Sequence, residues 1–428
     1  MKKLAATFLL ILPFLISIAQ APRRPLIPGD IYRMQSIGDA TISPDGRWVC
    51  YTVSSTDSAR DRRNTDLWMV SWDGKENVQL TNSPESESSP RWSPDGKYIS
   101  FTASRTGGTS QIYLLDRRGG EAIKLTDVKS DLNSYSWSPD SKKMVLVMKD
   151  AADTGKGKTP KPYIINKYRF KQDISGYQYD TRKTHLFLFD VVSKKLDSLT
   201  TGIYNETDPQ WSPDGTKIAF VSNRTEDPDK NQNNDIWVID ARVGAEPKQL
   251  TTWQGSDGNP QWSPDGKWIA YIRSTFDAVY SMYDQGVLCV VNSTGGDPKP
   301  LSLSLDRPVN GPKWSADGKS IYALVADDRQ RYITSFNPTT GSSKKVIGGD
   351  KSFSVVEPGR AGTLLTIMSD PTLPAELYAI EGATQRRLTQ IQNKFIDSLS
   401  LASVEKFTSI SKDGTSVSGL LYYPPNGS

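Results

Sequence analysis

The sequence predicts an all-β chain built as a seven-bladed β-propeller of WD-type repeats. Three observations carry this reading: a turn motif recurring at near-constant spacing, one internal order shared by the repeats, and a closing signal that occurs seven times.

The turn is Ser-Pro-Asp-Gly or a near copy, at residues 43–46, 93–96, 138–141, 212–215, 263–266 and 315–318. Five of these six copies directly follow a tryptophan: Trp92, Trp137, Trp211, Trp262 and Trp314. The Asp-to-Asp spacings are 50, 45, 74, 51 and 52 residues, and a degenerate seventh copy fits at 357–362. Proline presets φ at the first corner, aspartate can bond its own backbone, and glycine takes the positive φ that follows. The tryptophan is expected to fill the wedge between neighbouring units.

After each turn comes a strand-like run such as 97–101 or 217–220, then a loop, then a second strand such as 111–116 or 235–240. These strands are expected to alternate apolar and polar residues. A short closing strand ends in Leu-Thr or a relative: Leu80-Thr81, Leu125-Thr126, Leu199-Thr200, Leu250-Thr251, Leu301-Ser302, Val346-Ile347 and Leu388-Thr389. Four short strands in about 45–50 residues is the arithmetic of propeller blades. An open solenoid needs shorter repeats, and a sandwich does not need this regularity. The turn carboxylates would lie far apart in such a ring, so each is expected to serve its own turn, with no metal or acid–base role.

The 428 residues are 36% hydrophobic and include 11 Trp, which suffices for an ordered core. Net charge is +4 with Lys and Arg scattered, so no nucleic-acid footprint is visible. Lys2 and Lys3, the apolar run 4–18 and Ala19-Gln20-Ala21 read as a cleavable export signal over residues 1–21. That run is short for a spanning helix and is interrupted by Pro13. The mature chain is therefore expected to be periplasmic or extracellular, with no membrane segment. Cys50 and Cys289 lie in separate apolar runs and are expected to be buried free thiols, although export would permit a disulfide.

The 74-residue interval marks an insertion over about 151–183. Residues 151–162 are polar and turn-forming; residues 163–180 are aromatic and basic, with Tyr163, Tyr168, Phe170, Tyr177 and Tyr179 near Lys167, Arg169 and Lys171. Two readings stand: a lip that contacts a ligand or partner domain, and an insertion packed on its own blade. Lys167, Arg169 and Tyr177 are the candidate substrate-binding residues.

No catalytic or metal-binding residue is read from the sequence, and no cofactor is expected. The single histidine, His185, sits in a strand-like run and reads as structural. There is no Gly-x-Ser-x-Gly elbow, Walker loop or His-Glu-x-x-His. The chain is expected to carry no complete catalytic machinery of its own.

Residues 401–428 leave the repeat pattern. They read as a hairpin whose apolar second strand has nothing after it to pack against. This hairpin runs from Phe407 through Asp413-Gly414 to Gly419-Leu420-Leu421-Tyr422-Tyr423-Pro424-Pro425. Together with the export signal, the Trp-Ser-Pro-Asp-Gly units and Lys167-Tyr168-Arg169-Phe170, it resembles the N-terminal part of the prolyl oligopeptidase family of serine peptidases, in the acylaminoacyl peptidase and dipeptidyl peptidase branch. The resemblance covers residues 22–428. It implies a propeller over 22–400 and the opening of an α/β-hydrolase domain over 401–428, with the Ser-Asp-His triad in residues this chain lacks. It also implies a propeller that caps the active site and filters oligopeptides by size. The partners implied are peptide substrates and the hydrolase domain. TolB-like propellers share the blade motif, so a periplasmic protein-binding propeller is the alternative. A propeller enzyme working through its central channel lacks a convergent metal or acid–base set.

Overall fold

A computed structural model describes residues 23–105, 108–151, 164–165, 167–174, 176–178, 180–276 and 281–425. Residues 1–21, expected to be an export signal, nearly all of the polar stretch 151–162, and Tyr163 and Tyr179 lie outside the described residues.

Five four-stranded antiparallel sheets follow one another, each a meander in chain order. The first is Ser36–Ile42, Trp48–Asp57, Arg62–Ser71 and Asn77–Gln79. The second is Glu87–Trp92, Tyr98–Ala103, Gln111–Asp116 and Ile123–Lys124. The third, Leu132–Trp137, Lys143–Lys149, Thr184–Asp190 and Leu196–Ser198, carries the insertion between its second and third strands. The fourth is Glu206–Trp211, Lys217–Ser222, Asp235–Asp240 and Lys248–Gln249; the fifth is Asp257–Trp262, Trp268–Ser274, Gly286–Asn292 and Lys299–Pro300.

A nine-stranded sheet ends the series. Val309–Trp314, Ile321–Asp327, Gln330–Phe336 and Ser343–Ile347 form one meander, and Leu364–Ser369, Glu376–Glu381 and Thr384–Arg387 a second. Ser352–Phe353 and Glu357–Pro358 pair with Leu364–Ser369, and a lone parallel pair, Arg331 with Ser352, joins the two meanders.

The recurrent turn forms as its residues dictate. In all six copies the serine hydroxyl donates to the aspartate at 2.5–2.7 Å. The same carboxylate oxygen accepts the amide two residues on, as from Arg47 at 3.1 Å. The fourth position has φ between 61° and 72°, Ser141 included. Each indole then donates across the seam between sheets: Trp92 to the Thr41 carbonyl, Trp137 to the Ser100 hydroxyl, Trp211 to Ser136, Trp262 to Gln210 and Trp314 to Gln261. The expected wedge role is thus also a polar one.

The first strands of the second, fourth, fifth and last sheets each pack across several strands of the sheet before them. Each of the four slips register once, between Ser88 and Arg91, Thr207 and Gln210, Gly258 and Gln261, and Asn310 and Lys313 in turn. Ser89, Asp208, Asn259 and Gly311 occupy these bulges at φ 51–61°. A proline follows each of the four and supplies no ladder N–H.

Strict alternation is not what the second and third strands show. Lys143–Lys149 has five consecutive buried residues, and Tyr98–Ala103 likewise. Each sheet is covered on both faces by its neighbours, so both sides of a strand must be apolar. The last sheet returns to the first: Leu365, Ile367, Leu377, Ala379 and Leu388 pack with Ile37, Val49, Tyr51, Val53 and Val70. Trp72 Nε1 donates to Glu381 at 2.8 Å and Arg386 to the Trp72 carbonyl. Cys50 and Cys289 are both buried free thiols, and burial pushes the Cys289 thiol up to about 12.

A buried polar relay tightens the seams. Thr81, Thr126, Thr200, Thr251 and Ser302, which end closing signals, each accept a third-strand amide at 2.8–2.9 Å, and Thr389 accepts the Leu377 amide at 3.0 Å. The Thr81 hydroxyl in turn donates a hydrogen bond to Glu87, that of Thr200 to Glu206 and that of Thr389 to Glu376. An arginine closes each: Arg105 on Glu87, Arg224 on Glu206 and Arg387 on Glu376, at 2.9–3.0 Å.

The fifth sheet departs from this satisfied pattern. Asp257 meets Arg273 only at 3.4 Å, and its Oδ2 is buried without a partner. Burial pushes Asp257 up to about 6; burial and then the Asp257 charge do the same to Asp235. The folded state therefore holds protons more tightly than the unfolded chain between pH ~4 and ~6. Stability from this pair is present below that window and falls as pH rises through it. Asp257→Asn is expected to flatten the fall, on the order of 2 kcal/mol; denaturant titrations of both proteins at pH 4, 5 and 6 measure it.

Candidate functional site

The insertion leaves and re-enters the third sheet side by side, because Lys143–Lys149 and Thr184–Asp190 are paired along their length. The Asp150 amide donates to the Lys183 carbonyl at 2.7 Å, and the Lys183 amide to Asp150 Oδ2 at 3.2 Å. Arg182 braces this stem on Asp131 and Asp180, both at 2.8 Å, and Lys149 reaches Asp180 at 2.9 Å. The Arg182 hydrogen bonds hold the Asp180 carboxyl far below the usual carboxylate range.

Past the stem, Lys167 Nζ donates to the Asp180 carbonyl at 3.0 Å. The amides of Tyr168 and Arg169 converge on the carboxylate of Asp229, in the loop between the second and third strands of the fourth sheet. The insertion thus docks on the neighbouring sheet's loop as well as its own. Lys171–Gln172 pairs with Gly176–Tyr177 in a small hairpin. Phe170 and Tyr177 stack at 6.4 Å with Lys171 Nζ 5.6 Å from the Tyr177 ring.

The three candidate residues therefore separate. Arg169 lines a cavity of about 390 Å³ with Lys183, Tyr204, Asn205, Asn223 and Asn231. Lys167 and Tyr177 lie outside this lining and make contacts within the insertion. Among the described residues, neither the Arg169 guanidinium nor the Lys183 ammonium forms an ion pair. Two cations among carboxamides suit a carboxylate and peptide amides. Proton transfer would need a base that this lining does not hold.

Sequence reasoning named His185 as structural but missed Glu206 and Arg224, which neighbour the cavity-lining Asn205, Thr207 and Asn223 along the chain. His185 is 3% exposed, with Nδ1 2.7 Å from Glu206 Oε2. Arg224 pairs with Glu206 and lies over Trp237 at 4.5 Å and Tyr204 at 5.4 Å. The available signal was the fixed spacing Thr-x5-acid, seen at Thr81–Glu87, Thr200–Glu206 and Thr251–Asp257.

The terminal hairpin, Ser403–Ile410 with Ser416–Tyr423, forms as expected. It is tied to the nine-stranded sheet by Arg329 Nη1 on the Gly419 carbonyl at 2.6 Å and by Lys406 on Asp350. A cavity of about 670 Å³ lies along this seam. Phe407, Ile410, Val417, Leu421, Tyr422 and Tyr423 remain 41–67% exposed.

Residues 34–158 match the TolB β-propeller domain. The chain is 26% identical over 422 residues to dipeptidyl-peptidase 5 of Porphyromonas gingivalis, covering 94% of this chain and 61% of the relative. It is 27% identical over 419 residues to the uncharacterised peptidase YuxL of Bacillus subtilis, covering 92% and 63%. The chain thus spans about three fifths of the length of these relatives. Among solved structures, Pyrococcus horikoshii acylaminoacyl peptidase superposes with a TM-score of 0.72 at 19% identity, over 92% of this chain and 59% of that one. The β-propeller domain of the trilobed protease from Pyrococcus furiosus gives 0.61 at 16% identity, over 85% and 98%. The fold is a β-propeller of the kind found in these peptidases, and the curated relatives are peptidases.

Proposed function

We propose that this chain is the propeller region of an exported serine peptidase of the prolyl oligopeptidase type, one that admits oligopeptides to a hydrolase domain. The similarity to peptidases over more than nine-tenths of the chain carries this reading. Counted as two meanders, the nine-stranded sheet brings the number of blades to seven. Residues 401–428 open the hydrolase domain, and the exposed apolar side of their hairpin suits coverage by further chain. Residues 1–21 direct export.

In this reading the insertion is the lip of the substrate path. Arg169, with Lys183, receives a peptide carboxylate, while Lys167 and Tyr177 hold the lip in shape around it. The chain alone is expected to release no chromophore from aminoacyl or dipeptidyl substrates. Turnover that an active-site serine reagent abolishes would overturn the assignment.

The TolB-domain match over 34–158 favours a second reading, a protein-binding propeller. Saturable binding of a folded protein without binding of short peptides is the outcome that selects it.

A further inference from the structure

His185 is the single histidine of the chain, and it stands where three elements meet. It lies on the strand that leaves the insertion. Its Nδ1 faces Glu206 on the first strand of the fourth sheet at 2.7 Å, and its Nε2 faces Asp150, at the end of the strand that enters the insertion, at 3.5 Å. The Gly202 carbonyl also faces the ring. Glu206 is shared with Arg224 and Thr200. Asp150 in turn holds the Lys183 amide through its other oxygen. Lys149, Arg182 and Asp180 form the adjoining ion pairs of the stem.

We propose that His185 is a pH-sensitive latch on the stem of the insertion: the imidazolium ties Asp150, and with it the Asp150–Lys183 pairing, to Glu206, and the neutral ring releases Asp150. The imidazolium can donate from both nitrogens at once. In the neutral ring with Nδ1 bonded to Glu206, Nε2 turns a lone pair towards the Asp150 carboxylate and the Gly202 carbonyl, and that contact becomes repulsive.

The Glu206 hydrogen bond is the largest cause holding His185 above its ordinary value, against the opposing effect of burial. A histidine raised in the folded state stabilises its bonded arrangement at low pH and loses that contribution as pH rises through the folded value. The stem is therefore closed in acid and loosens on the alkaline side of about 6.5. Lys183, whose amide Asp150 holds, also lines the cavity with Arg169, so release of Asp150 would loosen one residue of that wall.

The test uses the full chain without a histidine tag, so that one imidazole Cε1–H signal reports the titration. Hydrogen exchange of the Asp150 and Lys183 amides, corrected for intrinsic rate, is followed from pH 5 to 9 without peptide. Protection is expected to fall at least fivefold with the same midpoint as the imidazole. In His185→Gln and Asp150→Asn it should be low and independent of pH, and Asp150→Asn should move the imidazole midpoint down. The Asp150 side chain is 45% exposed, so Asp150→Asn carries the test if His185→Gln does not fold. Wild-type protection that stays flat through the midpoint overturns the latch, as does an undiminished fall in Asp150→Asn. Neither outcome bears on peptide binding.

Discussion

Replacing Glu206 with alanine is expected to destabilise the fold by about 3–5 kcal/mol, the cost of removing one partner of a buried ion pair. Glu206 is fully buried and takes Arg224 on one oxygen, and Thr200 and His185 on the other. Alanine would leave the Arg224 guanidinium, itself 17% exposed, in a wall of Tyr204, Phe220 and Trp237 without its counter-charge. It would also leave Thr200, which holds the Leu186 amide, with no acceptor. Glu206→Gln keeps the shape and two acceptor contacts, so about 1–3 kcal/mol is expected there. Urea unfolding at pH 7 measures both; a loss below about 1 kcal/mol for the alanine variant contradicts the relay as a structural element.

The second large effect is expected at the seam between the last sheet and the first. Among the described residues no strand of the first sheet pairs with a strand of the last, as none pairs across the seams between the four-stranded sheets, and here no direct chain connection joins the two sheets. The seam rests on the shared apolar cluster, the Trp72–Glu381–Arg386 contacts, and a two-residue parallel pairing of Arg24–Pro25 with Leu399–Ser400. Leu377 is fully buried in that cluster. Leu377→Ala should cost about 2–5 kcal/mol, the transfer of the side chain plus the cavity it leaves. The distribution of the effect matters more than its size. Hydrogen exchange should accelerate in the first and last sheets well before the third and fourth, because local opening follows the weakest contacts. Uniform acceleration around the ring would show that the seam is not the weak point.

The repeat was legible because its turn chemistry is local. Proline, aspartate and glycine act within four residues, so Asp95 and Gly96 show their roles without knowledge of what surrounds them. Other features needed the third dimension. Ser93 reads as part of a turn, yet its hydroxyl both donates to Asp95 and accepts the Tyr98 amide. Glu87, Glu206 and Asp257 look like ordinary polar residues at strand starts, and only the neighbouring closing strand reveals why they are buried. The bulges of the first strands had a signal, a proline directly after Ser89, Asp208, Asn259 and Gly311, which alternation arguments overlook.

The insertion was legible as a departure from spacing, and its composition drew attention to Arg169. Its docking was not legible, because Asp229 lies about 60 residues further on, in another sheet's loop. Lys183 escaped notice for a similar reason. It ends the insertion in sequence, but folding brings it to the same cavity as Arg169.

Peptide binding to that cavity decides whether the insertion face contacts substrate. A fluorescently labelled oligopeptide with a free C-terminal carboxylate is titrated with the intact chain at low salt, and anisotropy gives Kd. Saturable binding is predicted, weakened about tenfold or more in Arg169→Ala and again in the double variant with Lys183→Ala, as for loss of a charge-assisted contact of roughly 1.5–3 kcal/mol. Amidation of the peptide's C-terminus should weaken wild-type binding to a similar degree. Equal affinity for wild type and both variants, or no binding of any peptide, would contradict the insertion face as a peptide-contact surface.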